Sequence, residues 1–212
     1  NLAPLGAYNM HGSLLPKYRG RAPINWAILH GETETGATLH KMLEKPDAGD
    51  IIGQQSVPIE NQDTAQDVFL KVTEAACHVL ASSIDDLKNQ TAKPQTQDLS
   101  LGSYFAGRKP ADGLIDWQQS AKQIYDLIRA VTKPYPGAFS YFREQQLIIW
   151  WATVLAADDK IKAQPGEIIN NSPLQIQTGD GILQIKDYQW SENSNDLEKV
   201  GLEMMIGDTL SA

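Results

Sequence analysis

The chain has 212 residues, 42% hydrophobic and 21% charged, with 18 Lys/Arg against 26 Asp/Glu for a formal charge of −8. This composition suits a folded chain with a sizeable core and excludes extended disorder and collagen-like repeats; a single cysteine, Cys77, rules out an internal disulfide framework and fits a reducing, cytoplasmic setting. No apolar run reaches membrane-spanning length and no basic-then-apolar leader is present, so neither insertion nor secretion is expected.

The chain opens on a short apolar segment (Leu5, Ala7, Tyr8, Met10) that carries Asn9 and His11. On an extended backbone these two polar side chains, two residues apart, point to the same side. A Gly- and Pro-punctuated stretch to Pro23 follows and holds Lys17, Arg19 and Arg21. Residues 1–50 carry five Lys/Arg and five Asp/Glu, so the net negative charge lies beyond residue 50. A local cationic cluster on an otherwise acidic chain suits a small anionic ligand better than a nucleic acid.

Ala22 to His30 reads as a helix, with Pro23 in its first turn and Gly31 as its stop. Strands are expected at Gly36–Met42 and Asp50–Val57, joined by a loop that holds Asp47-Ala48-Gly49. Thr64 and Asp67 form a variant capping box, and Phe69, Val72, Ala76, Val79, Leu80, Ile84 and Leu87 recur at helical spacing, which predicts one long amphipathic helix. Beyond Asn89 the composition turns to Gln, Thr, Pro and Ser and reads as a connector. A helix over Ser120–Val131 comes next, then a Lys133-Pro134-Tyr135-Pro136-Gly137 break. Short β-rich pieces follow at Ala138–Phe142, Leu147–Leu155, Gly166–Ile169, Leu174–Thr178 and Ile182–Ile185, the pattern of a small barrel. His30, His40 and His78 are expected at a helix end, in an alternating strand and in a helix, in surface or capping roles. One cysteine and scattered histidines give no usual metal-ligand spacing, so no metal is expected.

An Asn and a His at a strand end often form only a satisfied polar pair; the flanking residues argue for more. Asn9, His11, Ser13-Leu14-Leu15-Pro16, Tyr18-Arg19-Gly20, Ala22-Pro23, Glu34-Thr35-Gly36 and Asp47-Ala48-Gly49 closely resemble, in order and spacing, the signature of 10-formyltetrahydrofolate-dependent formyltransferases. Gly12, Tyr18, Arg21, Asn25 and Trp26 are similar to the sugar-nucleotide N-formyltransferases, notably the formyltransferase domain of the bifunctional enzyme that makes formylated UDP-aminoarabinose in lipopolysaccharide biosynthesis. The methionyl-tRNA formyltransferases, which share the two-part layout, differ at these positions.

The resemblance implies an α/β fold, the C-terminal part of a Rossmann-like formyltransferase core over 1–97, followed by a connector over 98–118 and an OB-like β-barrel domain over 119–212. Such enzymes carry roughly ninety residues ahead of the Asn-x-His motif, forming the opening of the sheet, so the chain is expected to be the C-terminal two-thirds of one. It implies transfer of a formyl group from 10-formyltetrahydrofolate to the amine of a nucleotide-linked amino sugar. Such a transfer passes through a tetrahedral oxyanion while the amine loses a proton. In that chemistry the Asn9 amide donates to the oxyanion, His11 accepts the proton, and Asp47 orients the imidazole and stabilises its cationic form, or relays protons through a water. Ser13, Leu14, Pro46 and Asp47 are expected against the folate. Arg19, Arg21, Asn25, Arg108 and Tyr135 are expected on the nucleotide sugar, since a diphosphate calls for guanidinium forks and a base for an amide or aromatic face. The expected partners are folate and the nucleotide sugar, with self-association into a homo-oligomer left open. Two alternatives stand beside this reading: a methionyl-tRNA formyltransferase, which would bind tRNA, and a truncated, non-catalytic folate- or nucleotide-binding module.

Overall fold

The computed structural model describes residues 3, 6–158, 160–191 and 203–212. Leu5, part of the apolar lead-in, and Asn1, Leu2 and Pro4 lie outside the described residues. Two compact units divide the chain, Asn1–Arg108 and Lys109–Ala212. Among the described residues no helix is long and apolar enough to cross a membrane.

In the first unit β1 (Tyr8–His11), β3 (Glu34–Lys41) and β4 (Ile51–Pro58) form a sheet of order β1-β3-β4 in which both pairings are antiparallel. β3 is central, and its six inner residues are buried on both faces. The long helix α2 (Ala65–Asn89) begins where the capping box places it: the Thr64 hydroxyl accepts from the Asp67 N–H, and the Asp67 carboxylate accepts from the Thr64 N–H. Val68, Val72, Ala75 and Val79, at three- and four-residue spacing, form the buried stripe that lies across β3 and β4. The short helix α1 (Pro23–Leu29) starts at Pro23 after Ala22 in the left-handed conformation. Two-residue strands β2 (Arg19–Gly20) and β5 (Tyr104–Phe105) pair in parallel.

The three strands of this sheet pair only antiparallel. One expectation changes here. The segment expected as a connector over 98–118 is divided: residues up to Arg108 belong to the first unit because β5 is hydrogen-bonded to β2 and the Trp26 indole N–H donates to the Ala106 carbonyl at 3.1 Å.

In the second unit α3 (Ala121–Val131) is opened by a second capping box, Ser120 with Gln123. β6 (Ala138–Phe142), β7 (Gln145–Leu155), β8 (Ile168–Asn171), β9 (Leu174–Gln177) and β10 (Ile182–Trp190) form one antiparallel sheet of order β6-β7-β10-β9-β8. Ile124 and Ile128 of α3 are buried, as are Leu147, Ile149, Ile176 and Leu183 of the sheet. The Asp126 carboxylate, 3% exposed, accepts from Arg129 Nε at 2.7 Å, so the buried charge on α3 is paired. The five strands fall where the short β-rich pieces were expected, but among the described residues β6 and β8 do not pair to close a barrel. Instead the C-terminal segment makes single bridges to both edges, Tyr141 with Ser211 and Glu167 with Thr209.

Candidate active site

The register of β1 against β3 decides which side chains meet. Asn9 stands opposite His40 and His11 opposite Thr38. Opposed residues of an antiparallel pair share a face, as do residues two apart, so all four project from one side of the sheet. Asn9 Nδ2 lies 3.3 Å from His40 Nε2, and the two imidazoles meet edge-on with centroids 6.5 Å apart. His11 and His40 are 6% and 2% exposed. The surface role expected for His40 is therefore corrected: cross-strand pairing sets it inside the cluster.

Asp47 arrives from the turn between β3 and β4, with Pro46 fixing one central φ and Asp47 taking the left-handed position at φ 50. Asp tolerates that conformation better than most residues. Gly49 lets the loop fold flat, because a Cβ there would run into the Lys41 carbonyl. The Asp47 carboxylate then meets three groups. Its Oδ2 accepts from the Gly20 N–H at 2.8 Å and lies 3.7 Å from His11 Nδ1, while its Oδ1 lies 3.4 Å from His40 Nε2. Gly20 itself, at φ 99, has no room for a Cβ beside the Phe105 carbonyl.

Hydrogen-bond partners locate the protons. His11 Nε2 is 2.8 Å from the Tyr18 carbonyl oxygen, which only accepts, so Nε2 carries a hydrogen and Nδ1 is the nitrogen that faces Asp47. The Tyr18 carbonyl, turned inward by a φ of 56, thus orients the imidazole, a role expected of Asp47. The Asp47 carboxylate stands beside the other ring nitrogen, Nδ1. His40 Nδ1 is 3.0 Å from the Lys41 carbonyl and donates to it. Neutral His40 therefore accepts at Nε2 from the Asn9 amide, and a proton on Nε2 would point instead at Asp47. An amide has two N–H groups, so Asn9 retains a second donor beyond the one aimed at His40.

The other expected residues are placed unevenly. Leu14 is half-buried and Pro46 exposed. Ser13 is fully buried and its hydroxyl donates to the Lys17 carbonyl at 2.7 Å, so it locks a turn where a folate contact was expected. Asn25 is 6% exposed within α1, which turns it inward, away from solvent. Arg21 is exposed and packs along Gly107. Arg19 is 8% exposed, and its buried Nε has no hydrogen-bond partner among the described residues. The Arg108 guanidinium lies 4.8 Å from the Trp26 ring centroid. Tyr135 belongs to the second unit, where it is exposed.

Further residues support the cluster. The Thr38 hydroxyl donates to the Ser13 carbonyl at 2.6 Å and accepts from the Leu15 N–H at 3.2 Å, which ties the loop after His11 to β3. The Tyr18 phenol donates to Glu32 at 2.9 Å. Burial first, then the hydrogen bond and charge of Glu32, push this phenol above its ordinary range. Thr38 and His40 alternate along β3 opposite His11 and Asn9, a signal legible only once the register is known.

With this geometry in place, the comparisons with known proteins agree on a class. The family model described as formyl transferase matches residues 1–84, and the one described as formyl transferase, C-terminal domain, matches residues 108–195. Together they cover most of the chain, which belongs to the formyltransferase family. An N-formyltransferase from Helicobacter canadensis, solved with folinic acid and dTDP-3-aminofucose, is 25% identical over 86% of this chain and 66% of its own, with a TM-score of 0.66. A 4-N formyltransferase from Francisella tularensis is 29% identical over 62% of this chain and 55% of its own, with a TM-score of 0.57. HypX from Aquifex aeolicus, in complex with tetrahydrofolic acid, shares the fold at 22% identity, over 92% of this chain and 34% of its own, with a TM-score of 0.65. The chain thus spans less than two thirds of the length of each of these structures.

Proposed function

We propose that the protein is a folate-dependent N-formyltransferase that acts on the amine of a nucleotide-linked amino sugar. The observation that carries this reading is the convergence of Asn9, His11, His40 and Asp47, with Asp47 within 3.4 Å and 3.7 Å of the two imidazoles. The donor that fits is 10-formyltetrahydrofolate, which supplies an electrophilic formyl carbon. Asn9 directs its remaining amide hydrogen at the oxygen on which negative charge develops. His11 takes the amine's proton at Nδ1, held in the right tautomer by Tyr18, and Asp47 balances the resulting charge; as the tetrahedral intermediate collapses the bond from N10 to the formyl carbon breaks, His11 returns the proton to N10, and tetrahydrofolate leaves. Burial of both imidazoles strengthens these interactions by excluding water. Leu14 and Pro46 flank the cluster as folate contacts.

For the substrate, Arg21 is the cation offered for a diphosphate because the residue is exposed. Arg19, whose buried Nε has no hydrogen-bond partner among the described residues, is a second anchor. Asn25 and Arg108 stay as candidates for the base and sugar, Asn25 the weaker because of its burial. The related enzyme solved with dTDP-3-aminofucose supports an amino sugar as the substrate class. Gly12, Tyr18, Arg21, Asn25 and Trp26 narrow it toward UDP-aminoarabinose and lipopolysaccharide biosynthesis in the cytoplasm. The first unit is read as part of a larger Rossmann-like core, and the second unit as an OB-like domain closed by its C-terminal bridges.

The test supplies the full-length protein with 10-formyltetrahydrofolate and, in separate reactions, UDP- and dTDP-linked amino sugars and methionyl-tRNA, with products followed by mass spectrometry. The expected result is formylation of a nucleotide sugar and none of the tRNA. Robust, strongly salt-dependent formylation of methionyl-tRNA would overturn the substrate reading and leave the chemistry of the cluster intact.

A further inference from the structure

We propose that Gln97 is a positioning residue for Asp47, an inference that rests on the formyl-transfer reading above. The segment that holds it follows α2 and lies far from the cluster in sequence. A pair of 2.8 Å backbone hydrogen bonds between Gln95 and Ile51 lays it antiparallel along the start of β4. Gln97, 9% exposed, then reaches over the loop between β3 and β4. Its Nε2 donates to the Asp47 carbonyl at 3.1 Å and to the Gly49 carbonyl at 2.6 Å. Both partners only accept, so the amide has a single workable orientation, with nitrogen toward the loop.

That orientation leaves Gln97 Oε1 buried without a hydrogen-bond partner among the described residues. A side chain serving only to fill space would do better as an apolar group of the same shape, since a buried unsatisfied acceptor is destabilising. The two donated bonds explain the amide. They hold the backbone on both sides of Ala48 while Asp47 sits at a φ of 50, a conformation that L-residues adopt reluctantly. The direction of the Asp47 side chain follows from that backbone, and the carboxylate has little tolerance. It bonds the Gly20 N–H at 2.8 Å and stands 3.4 Å and 3.7 Å from the two imidazoles, so a shift of the loop alters all three contacts together. Gln97 touches none of the reacting groups and acts only through Asp47.

The experiment uses the full-length protein with Gln97→Met, which keeps length and volume while removing both donors and the orphaned acceptor, and Gln97→Glu, which turns a carboxylate on the two carbonyls. Both should lower kcat about 10- to 100-fold, as displacement of a catalytic group does, while KM for both substrates changes by less than about threefold. The Met variant should stay folded, with a melting temperature only modestly lowered by the two lost hydrogen bonds, and in NMR spectra its His11 and His40 ring resonances should move. Wild-type kcat and unmoved ring resonances in Gln97→Met would overturn the proposal, as would a loss of activity that merely tracks a loss of folded protein. Should one variant fail to fold, the other decides; failure of both would mark Gln97 as structural and also overturn it. Absence of formyl transfer in the wild type would sink the functional reading instead, and the ring resonances of Gln97→Met would still report on Gln97.

Discussion

His40→Asn is the most informative single change, because Asn reproduces one end of the imidazole and deletes the other. Its amide nitrogen lies near the position of Nδ1 and keeps the hydrogen bond to the Lys41 carbonyl, 3.0 Å in the wild type. What disappears is Nε2, the partner of Asn9 at 3.3 Å and of Asp47 at 3.4 Å. One neutral hydrogen bond contributes about 0.5–1.5 kcal/mol. Nearly all of the ring is buried, so the small void left at Nε2 adds about 1 kcal/mol. The fold should therefore lose roughly 1–3 kcal/mol, measurable by urea denaturation and within the stability of an ordinary domain. Turnover should suffer more. Under the proposed chemistry, releasing both Asn9 and Asp47 from their fixed positions should cost about 100-fold in kcat, equivalent to about 2.7 kcal/mol of transition-state stabilisation. His40→Gln, which restores an acceptor near Nε2 and gives up the bond to Lys41, should recover part of that loss at the expense of stability. Steady-state kinetics on the folded variants decide the matter. His40→Asn with turnover within twofold of wild type would refute the placement of His40 in the reaction centre and return it to a packing role.

His11→Ala and Asp47→Asn should each lower kcat by orders of magnitude with a smaller effect on KM, since the lost interactions develop in the transition state; wild-type turnover in either would remove that residue from the mechanism. Gly49→Ala should destabilise the first unit by about 1–3 kcal/mol and impair turnover, because the added methyl meets the Lys41 carbonyl; Gly12→Ala, whose Cβ would find only ordinary 3.7 Å contacts, should be close to neutral in thermal unfolding. Acid unfolding should report the α2 cap. The Thr64 hydroxyl, then its N–H, hold the Asp67 carboxyl below its ordinary value. Its stabilising contribution is thus complete above the unfolded value and disappears as pH falls through the lowered folded one. Thr64→Ala should remove the hydroxyl's share of that acid-side component, the larger one, and leave that of the backbone N–H, along with a loss of about 1 kcal/mol of cap stability; an unchanged acid limb would refute it.

Several features of this protein were determined by local sequence alone. Asn9 and His11 share a face because a strand has a period of two. α2 and α3 begin where Thr64 with Asp67, and Ser120 with Gln123, satisfy the first N–H groups of a helix. Asp47 sits in a turn that Pro46 and Gly49 make sterically possible. Each of these rests on contacts among residues a few positions apart, which a linear reading captures. The composition of the reaction centre was decided otherwise. Alternation along β3 is equally compatible with a surface His40; only the register that sets it opposite Asn9 buries it. Gln97 reads as connector until the Gln95–Ile51 bridge lays it across the Asp47 loop. Ser13, inside the motif, turned inward to close a turn, and the Tyr18 backbone took over the orientation of His11. The five strands of the second unit were legible one by one, whereas the order in which they pair among the described residues was not. Pairing and register are settled by long-range hydrogen bonds and by the burial of shared faces, and those free energies exist only once distant segments of the chain meet.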